Sequence, residues 1–385
     1  MLSWERTASL TNLHCERAWV EIDESALGAN VRQIRSVLSP QTALMAVVKA
    51  DAYGHGAVMV AKNALRSGAS CLGVATIPEG IELREAGIRA PILILGATYN
   101  REQLHNLVRW QLQPTLASPK QALVFSEALA ELEENLSVHV KIDTGMSRLG
   151  VNWQEGAEFV ALAQRLPHLE VASVYSHLAT ADSPDRATMD EQHRRFCTVL
   201  QQLQTAGMAP PRSHLANSAA TLSDRATHYD LVRVGLSLYG LYPAPHLRPR
   251  VDLKPVMQVK ARITQVKVLE AGTGVSYGHR FVTRQPTRIA VVSIGYADGV
   301  PRLLSNKMRV LLRGQFVQQV GAITMDQLML DINGVPEAQP GEVVTLLGEQ
   351  NGRSISADEW ADTLGTISWE ILCGFKHRLP RVICG

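Results

Sequence analysis

Short β-rich runs alternate with helix-length segments between residues 43 and 234, and this rhythm constrains the fold more than any other feature. Strands that alternate with helices predict parallel pairing through right-handed crossovers. Eight such strand–helix units predict an α/β fold, a (β/α)8 TIM-type barrel whose active site lies at the C-terminal ends of the strands. An open doubly wound sheet is the alternative, but no Gly-x-Gly-x-x-Gly turn follows the first strand. The predicted strands cover residues 43–48, 71–75, 92–95, 113–116, 138–142, 171–175, 212–215 and 231–234.

A change of pattern separates a second domain from the barrel. Prolines cluster between Pro245 and Pro255, and beyond them β-rich runs follow one another directly, which predicts a mostly antiparallel β domain. The only helical pattern in that domain covers residues 357–364. A chain of 385 residues is long enough for two domains. We predict an N-terminal extension over residues 1–17, a barrel over 18–248 and a β domain over 249–385, with the surplus strand 18–22 joining the β domain.

Composition excludes several classes of partner. The net charge of +2 argues neither for nor against an acidic partner. The sequence has no long basic run of the kind that binds a nucleic acid. No window approaches the ~20 apolar residues of a membrane span, and residues 1–17 contain no apolar run of signal-peptide length. The five cysteines are scattered and odd in number. They favour reduced thiols in a cytoplasmic protein over a disulfide framework or a zinc site, and we expect no metal.

Lys49 stands at the end of the first predicted barrel strand, directly after six residues without a charge or a strong polar group. Lysine is rarely fully buried unless its nitrogen has a partner, and desolvation lowers its pKa by favouring the neutral amine. A neutral amine is able to form a Schiff base with an aldehyde. The alternative is that Lys49 extends its ammonium from the barrel rim into water, and this stretch alone leaves both open.

Other strand ends carry polar groups of a kind that an anionic ligand needs. Arg233 interrupts an apolar strand, where a guanidinium must find an acceptor; a structural salt bridge is the alternative. Asn217 and Ser218 supply donors at a possible helix N-terminus, a position that favours phosphate, although plain helix capping is the simpler alternative. The fork of Arg148, in the turn after the strand 138–142, suits bidentate recognition of a carboxylate.

The ten residues Val-Val-Lys-Ala-Asp-Ala-Tyr-Gly-His-Gly (47–56) resemble the pyridoxal 5'-phosphate (PLP) attachment motif of alanine racemases. The resemblance continues in the same order from about residue 17 to Arg381. It implies a barrel followed by a β domain, PLP as cofactor, and Lys49 joined to the cofactor's aldehyde as a Schiff base. Further matching segments are Lys-Ile-Asp-Thr-Gly-Met-Ser-Arg-Leu-Gly (141–150), Leu-Val-Arg-Val-Gly-Leu (231–236) and Thr-Gly-Val-Ser-Tyr-Gly (273–278).

In the barrel, the resemblance implies roles for residues at several strand ends. Arg233 faces the pyridine nitrogen and is supported by His214. His177 packs against the cofactor ring, although a lone histidine there would more often be a satisfied core residue. Arg148 contacts the substrate carboxylate, and Lys141 matches a lysine that is carbamylated in some relatives, where it steadies this arginine. The other cofactor-binding residues implied are Tyr53, Asn217, Ser218, Gly235 and Leu236.

In the β domain, the resemblance implies the second half of the site. Tyr277 matches the family's catalytic tyrosine, which reaches the active site of the other subunit in a homodimer, whereas a tyrosine in a strand loop is usually a packing residue. Tyr296, Met325 and Asp326 line the substrate pocket and its entrance, with Met325 contributed across the dimer interface. Trp369 departs from the family, which usually has a phosphate-contacting tyrosine there, and indole offers a donor but no acceptor.

Racemisation needs two acid–base groups, one on each face of the substrate's α-carbon. By resemblance these are Lys49 for the D enantiomer and Tyr277 for the L enantiomer, so the chain is expected to interconvert L- and D-alanine and to supply D-alanine for peptidoglycan. A broader small amino-acid racemase, acting for example on serine, is one alternative. A decarboxylase of the same architecture is disfavoured by Arg233, because a carboxylate would be expected at the ring nitrogen. A non-enzymatic PLP carrier would have no use for Tyr277.

Overall fold

The computed structural model describes residues 17–385, so the expected N-terminal extension, residues 1–17, lies outside the described residues except at Arg17. The described chain divides into two units. We call Ala26–Ala52 with Gly56–Lys254 the barrel unit, and residues 17–25 with Tyr53–His55 and Pro255–Gly385 the β unit.

Eight parallel strands form the barrel unit. From the first strand to the seventh, each strand pairs with the next one along the chain, and the eighth pairs with the first through the register Leu231↔Ala43. Asp230 N–H donates to the Ser213 carbonyl at 3.1 Å, which joins the seventh and eighth strands and closes the ring. The (β/α)8 barrel is therefore confirmed. The strands are Ala43–Val47, Cys71–Val74, Ile92–Ala97, Gln113–Leu116, Leu136–Asp143, Leu169–Tyr175, Ser213–His214 and Leu231–Val234, with Val151–Asn152 paired to the fifth.

Alternation along the strands divides the barrel core into an interior and an outer layer. Met45, Leu93, Tyr175 and Leu231 pack together with Cys71 in one cluster. Arg233 lies two residues after Leu231 and therefore faces the same way. Around the strands lie the helices Glu24–Ser36, Lys49–Gly54, Ala57–Arg66, Ile77–Glu85, Arg101–Arg109, Pro119–Leu132, Gly156–Arg165, Ala187–Thr205 and Ser218–Ser223, and the 3-10 turns Trp153–Glu155, Arg225–Thr227, Leu236–Tyr239 and Pro245–Arg250.

The β unit is built on one nine-stranded sheet and a small hairpin, Gly274–Val275 with Phe281–Val282. The strand Ala18–Asp23 lies in this sheet, antiparallel to Met257–Leu269 and parallel to Arg381–Cys384. In spatial order the sheet contains Arg353–Ile355, Val343–Gln350, Arg309–Leu312, Gln315–Val320, Leu328–Asp331, Thr287–Val292, Met257–Leu269, Ala18–Asp23 and Arg381–Cys384. Its 3-10 turns are Tyr277–His279, Tyr296–Asp298 and Arg302–Leu304.

Besides the small hairpin and the strand Arg353–Ile355, two further elements of the β unit were not predicted. Besides the expected helix Ala357–Leu364, a second helix covers Ser368–Gly374, so the expectation of a single helix was wrong. Seven residues are too few to reveal a helical period in the sequence. The final strand Arg381–Cys384 was also missed, because its one neighbour, Ala18–Asp23, is more than 350 positions earlier in the chain. Within residues 17–385, no helix is both long and apolar enough to cross a bilayer.

Candidate active site

Lys49 begins a short helix of unusual hand. This half-buried residue follows the strand Ala43–Val47 and opens the helix Lys49–Gly54. The φ angles of Ala50, Asp51, Ala52 and Tyr53 lie between 52° and 55°, so the turn is left-handed. For L-amino acids this conformation costs about 1–2 kcal/mol per residue, and the surrounding structure must hold it in place.

Carboxylates hold the start of this left-handed turn. Glu79 accepts the Ala50 N–H at 2.8 Å through Oε1, and its Oε2 accepts the N–H groups of Ala75 and Thr76 at 2.7 and 3.0 Å. Glu79 therefore ties the lysine segment to the end of the neighbouring barrel strand. Asp51, inside the turn, accepts the Ala57 N–H at 2.7 Å. These bonds satisfy backbone donors that a right-handed helix would have used differently.

Within the β unit, Arg381 holds the end of the same turn. Its Nε and Nη2 donate to the Gly54 carbonyl at 3.1 and 2.8 Å. A Cβ on Gly54 would stand 2.7 Å from the Leu372 carbonyl oxygen, so only glycine fits this position at φ 83°. Burial raises the pKa of the neighbouring Tyr53 to about 12. The phenol of Tyr53 is therefore a permanent donor at neutral pH.

Arg233 is buried in the barrel interior, where four acceptors contact its two terminal nitrogens. Nη2 donates to the carbonyls of Ser176 and Leu215 at 2.7 and 3.0 Å, and to His177 Nδ1 at 3.2 Å. Nη1 donates to His214 Nδ1 at 2.8 Å. Its partners are thus carbonyls and imidazoles, not the carboxylate of a structural salt bridge. Burial lowers the pKa of Arg233 to about 10, which still leaves the guanidinium charged near neutral pH.

Four basic side chains surround His177. Burial lowers the pKa of its imidazole well below the ordinary value, and the charges of Arg233, Lys141, Arg148 and Lys49 lower it further. The structure therefore brings together these five residues, all expected from the sequence at the ends of four barrel strands, with Lys141 and Arg148 at the end of the same strand. Because His177 is neutral, it adds no charge to a cluster that is already strongly positive.

Lys141 is the most confined member of this cluster. Its Nζ lies 4.2 Å from the centre of the Tyr175 ring. Burial lowers the pKa of Lys141 well below its usual range, and the charges of Arg233 and Arg148 act in the same direction. Burial therefore favours the neutral amine form of Lys141. Arg148 is itself exposed, on a turn shaped by Asp143, which accepts the N–H groups of Gly145 and Ser147.

The expected phosphate end of the site contains one buried hydroxyl without a partner. Asn217 caps the helix Ser218–Ser223 by accepting the Ala220 N–H at 3.0 Å. Its side chain therefore makes the helix-capping contact that was the alternative to phosphate binding. Ser218 Oγ accepts the Gly235 N–H at 3.2 Å. Ser237, buried in the turn Leu236–Tyr239, has no hydrogen-bond partner for its Oγ among the described residues. A phosphate oxygen would satisfy such a donor.

The residues present fit an anionic cofactor such as PLP. A buried, partnerless hydroxyl and a cluster of cations both gain from a bound anion. Sequence reasoning did not single out Ser237, Tyr175 or Glu79. Ser237 lies only two residues beyond Gly235, and Tyr175 ends a predicted strand, so these two had a positional signal. Glu79 had the signal of a capping box, Thr-x-x-Glu from Thr76.

In the β unit, two turns present Tyr296 and Met325, which are both exposed. Tyr296 N–H donates to the Thr324 carbonyl at 2.9 Å, and Ala297 N–H donates to that of Met325 at 3.0 Å. These two bonds join the turns. A Cβ on Gly295 would lie 2.3 Å from the Thr324 oxygen, so the close approach requires glycine.

An ionic network supports these two turns. Buried Asp298 accepts the Gly295 N–H and a forked pair of bonds from Arg17 at 2.8 and 2.6 Å. Arg378 contacts both Asp298 and Asp326. The expected entrance residue Asp326 is therefore held by an arginine near the end of the chain.

Tyr277 lies at the tip of the small hairpin and is 72% exposed. The preceding Ser276 has φ 62°, and its Oγ donates to the Ala322 carbonyl at 2.7 Å. The hairpin thus presents the phenol to solvent instead of packing it. Trp369 is half-buried in the helix Ser368–Gly374.

Comparison with known proteins gives a uniform result. The sequence matches the family models "Alanine racemase, N-terminal domain" over residues 22–243 and "Alanine racemase, C-terminal domain" over residues 256–383. It is 66% identical over 369 residues to the alanine racemase of Nostoc sp., covering 95% of this chain and 96% of the relative. It is 61% identical over 368 residues to the alanine racemase of Synechocystis sp., covering 96% and 99%.

Solved structures agree with these relatives. The alanine racemase of D-cycloserine-producing Streptomyces lavendulae superposes with a TM-score of 0.90 at 37% identity, covering 96% of this chain and 97% of that one. The alanine racemase of Bacillus anthracis with bound L-Ala-P superposes with a TM-score of 0.90 at 36% identity, covering 96% and 95%.

Proposed function

Since the chain belongs to the alanine racemase family, a family of PLP-dependent isomerases that interconvert L- and D-alanine, we propose which of its residues bind the cofactor and move the protons. The observation that supports the assignment most directly is the cluster of Lys49, Lys141, Arg148 and Arg233 around the neutral His177. It combines an amine able to react with the cofactor's aldehyde and charges that attract a phosphate and a carboxylate.

Lys49 would bind PLP covalently, and the residues around Arg233 would orient it. When bound, PLP supplies an electron-withdrawing ring that stabilises negative charge on the substrate's α-carbon. Ser218, Ser237 and the backbone near Gly235 would bind the phosphate, and His177 would pack against the ring. By resemblance, Asn217 and Leu236 would complete the phosphate contacts, and Tyr53 would also bind the cofactor. Trp369 would stand in the place of the usual tyrosine, and His214 would support Arg233.

Arg233 would set the character of the reaction. A guanidinium that keeps its proton can only donate to the pyridine nitrogen, and its positive charge opposes protonation of that nitrogen. Charge on the α-carbon is then dispersed less into the ring and is quickly quenched by a proton. This favours exchange of a proton over decarboxylation or transamination.

Lys49 and Tyr277 would exchange that proton on opposite faces of the α-carbon. Lys49 would take it from D-alanine, and Tyr277 of the partner subunit from L-alanine. Support for a shared site comes from the hairpin, which leaves a large aromatic side chain exposed at its tip. We propose a homodimer in which Met325 of the partner subunit also borders the substrate, with Tyr296 and Asp326 at its entrance.

Arg148 would bind the substrate carboxylate, and Lys141 would steady Arg148. A neutral buried amine is the form that takes up carbon dioxide, forming an N–C bond and releasing a proton. The resulting carbamate would place a negative charge between Arg148 and Arg233, whose charges now act on Lys141 unopposed except by Asp143. We also propose a cytoplasmic location, which the free thiols of the four described cysteines support.

A chiral assay tests this proposal. The full chain with added PLP is given L-alanine or L-serine, and the two enantiomers of the product are separated. We expect D-alanine to form much faster than D-serine. Equal rates would indicate a broader racemase, and bound PLP without any product would indicate a carrier; each outcome contradicts the proposed specificity.

A further inference from the structure

A chain of buried hydrogen bonds runs from Arg233 across the barrel interior. His214 lies between Arg233 and Ser173, with His214 Nε2 2.8 Å from Ser173 Oγ. Ser173 Oγ lies 2.6 Å from His139 Nδ1, and His139 Nε2 lies 3.1 Å from Gln113 Oε1. The chain thus begins at Arg233 and then passes through side chains on four other barrel strands.

The direction of every bond in the chain follows from Arg233. A guanidinium only donates, so His214 Nδ1 must be the unprotonated acceptor and its Nε2 must carry the proton. The Nε2–H of His214 then donates to Ser173, whose hydroxyl proton is directed to His139 Nδ1. His139 consequently carries its proton on Nε2 and donates to the Gln113 oxygen. The amide of Gln113 continues the series to Ser137 Oγ at 3.3 Å.

Burial keeps both imidazoles neutral, as this arrangement requires. Burial lowers the pKa of His139 to about 4 and that of His214 well below its ordinary value, and the nearby arginines act in the same direction. His214 also stacks on Tyr175, with ring centres 4.7 Å apart and planes 5° apart, so its ring plane is fixed. With the ring plane fixed, the ring nitrogen that carries the proton determines whether Nδ1 can accept from Arg233.

We propose that Ser173, His139 and Gln113 are positioning residues that fix the tautomer of His214 and thereby hold Arg233 in its orientation. If Ser173 did not accept the hydrogen bond from His214 Nε2–H, the Nδ1–H tautomer of His214 would become accessible and would confront Arg233 with a second donor. Nη1 would then lose its acceptor, and the guanidinium would turn. The consequence for catalysis rests on the proposed role of Arg233 at the cofactor ring, whereas the tautomer itself does not.

The tautomers are measured by nitrogen NMR on full-length protein containing 15N-labelled histidine, with and without PLP. Native His139 and His214 should each show one tautomer, with the proton on Nε2, and the signals are assigned with single histidine substitutions. Ser173→Ala should populate the Nδ1–H tautomer of His214, and Ser173→Thr, which keeps the hydroxyl, should restore one tautomer. The control Ser126→Ala removes another buried hydroxyl of the barrel unit, one that donates to the Pro167 carbonyl and lies outside the chain, and it should change neither histidine.

Kinetics provide the second readout. Ser173→Ala should lower kcat about tenfold in both directions, the size of one hydrogen bond to a charged group, without changing the KM for alanine. A merely structural role would lower the melting temperature and leave both tautomers and kcat intact, and that result would overturn the proposal. So would a native His214 with its proton on Nδ1.

Two further arrangements keep the test decisive. If Ser173→Ala does not fold, Gln113→Leu at the far end of the chain serves instead, and it should release the tautomer of His139. A single unchanged tautomer in that variant would contradict the proposal. Failure of the proposed function can be told apart from failure of this proposal. The tautomers are measured by NMR, so they can be determined even if the native chain shows no racemase activity.

Discussion

Glu79 accepts the backbone N–H of Ala50 at 2.8 Å, directly after the lysine that is expected to bind the cofactor. The same carboxylate holds the end of the next barrel strand through Ala75 and Thr76. A left-handed turn of non-glycine residues is sterically unfavourable. We infer that Glu79 supplies part of the free energy that keeps the Lys49 segment in this conformation.

Replacing Glu79 with alanine should therefore lower the free energy of unfolding by about 1–2 kcal/mol, because it removes a capping box together with the bond to Ala50. It should also slow the incorporation of PLP, since Lys49 would no longer be pre-positioned. Chemical denaturation and the growth of cofactor absorbance measure the two effects. Glu82→Ala removes an exposed carboxylate from the same helix and is the control. Equal effects of both variants would refute the role of Glu79.

Acid should destabilise the barrel through its buried histidines. The pKa of His139 is about 4 in the folded chain and 6.5 ordinarily, so the unfolded chain binds more protons between these values. Stability contributed by neutral His139 is complete above pH 6.5 and is lost as the pH falls towards 4, by up to about 3 kcal/mol. His177 and His214 act in the same direction.

The change His139→Asn should make the free energy of unfolding depend less on pH over this window. Denaturation curves at several pH values measure the slope. The exposed His105 provides the control, since His105→Asn should leave the slope as it is. A slope that is unchanged in His139→Asn would contradict the inferred neutral state of His139.

The charge of Arg233 should control side reactions. Arg233→Gln removes the cation that opposes protonation of the ring nitrogen, so racemisation should slow about 100-fold while formation of pyruvate per racemisation event increases. Pyruvate is measured with a coupled dehydrogenase. Arg148→Gln should instead raise the KM for alanine. If Arg233→Gln slows racemisation and leaves the pyruvate ratio constant, its charge does not govern the ring nitrogen.

Tyr277 should be needed for one direction of proton transfer. In Tyr277→Phe, exchange of the α-proton of L-alanine for solvent deuterium should slow by about 100-fold or more, with PLP binding and thermal stability almost unchanged because the side chain is exposed. Tyr99→Phe alters a tyrosine that is also exposed, at 73% against 72%, and should have no effect. Normal exchange from both enantiomers in Tyr277→Phe would exclude the two-base assignment.

Local pattern was sufficient to predict most of the architecture, because strand and helix periods are written in nearby residues. The strand Leu231–Val234 and the position of Arg233 within it could both be predicted from the sequence. The acceptors of Arg233 were harder to predict, since Ser176, His177 and Leu215 come from the ends of other strands. Only the closed barrel brings these groups together.

The left-handed turn could not be predicted from local preferences. Ala50 and Ala52 favour right-handed helix. Its conformation depends on Glu79 at one end and Arg381 at the other, which are respectively 29 and 327 positions away from the residues they hold. Tertiary contacts override propensity at this point, next to the proposed catalytic lysine, where strain is expected to have a function.

The most direct test of the account is to locate the covalent bond between the chain and its cofactor. The purified chain is incubated with PLP, reduced with borohydride, digested and examined by mass spectrometry, with Lys49→Ala in parallel. We predict that the reduced cofactor is found on Lys49 and that Lys49→Ala takes up no label. Label on another lysine, such as the buried Lys141, or a native chain without label, would contradict the account.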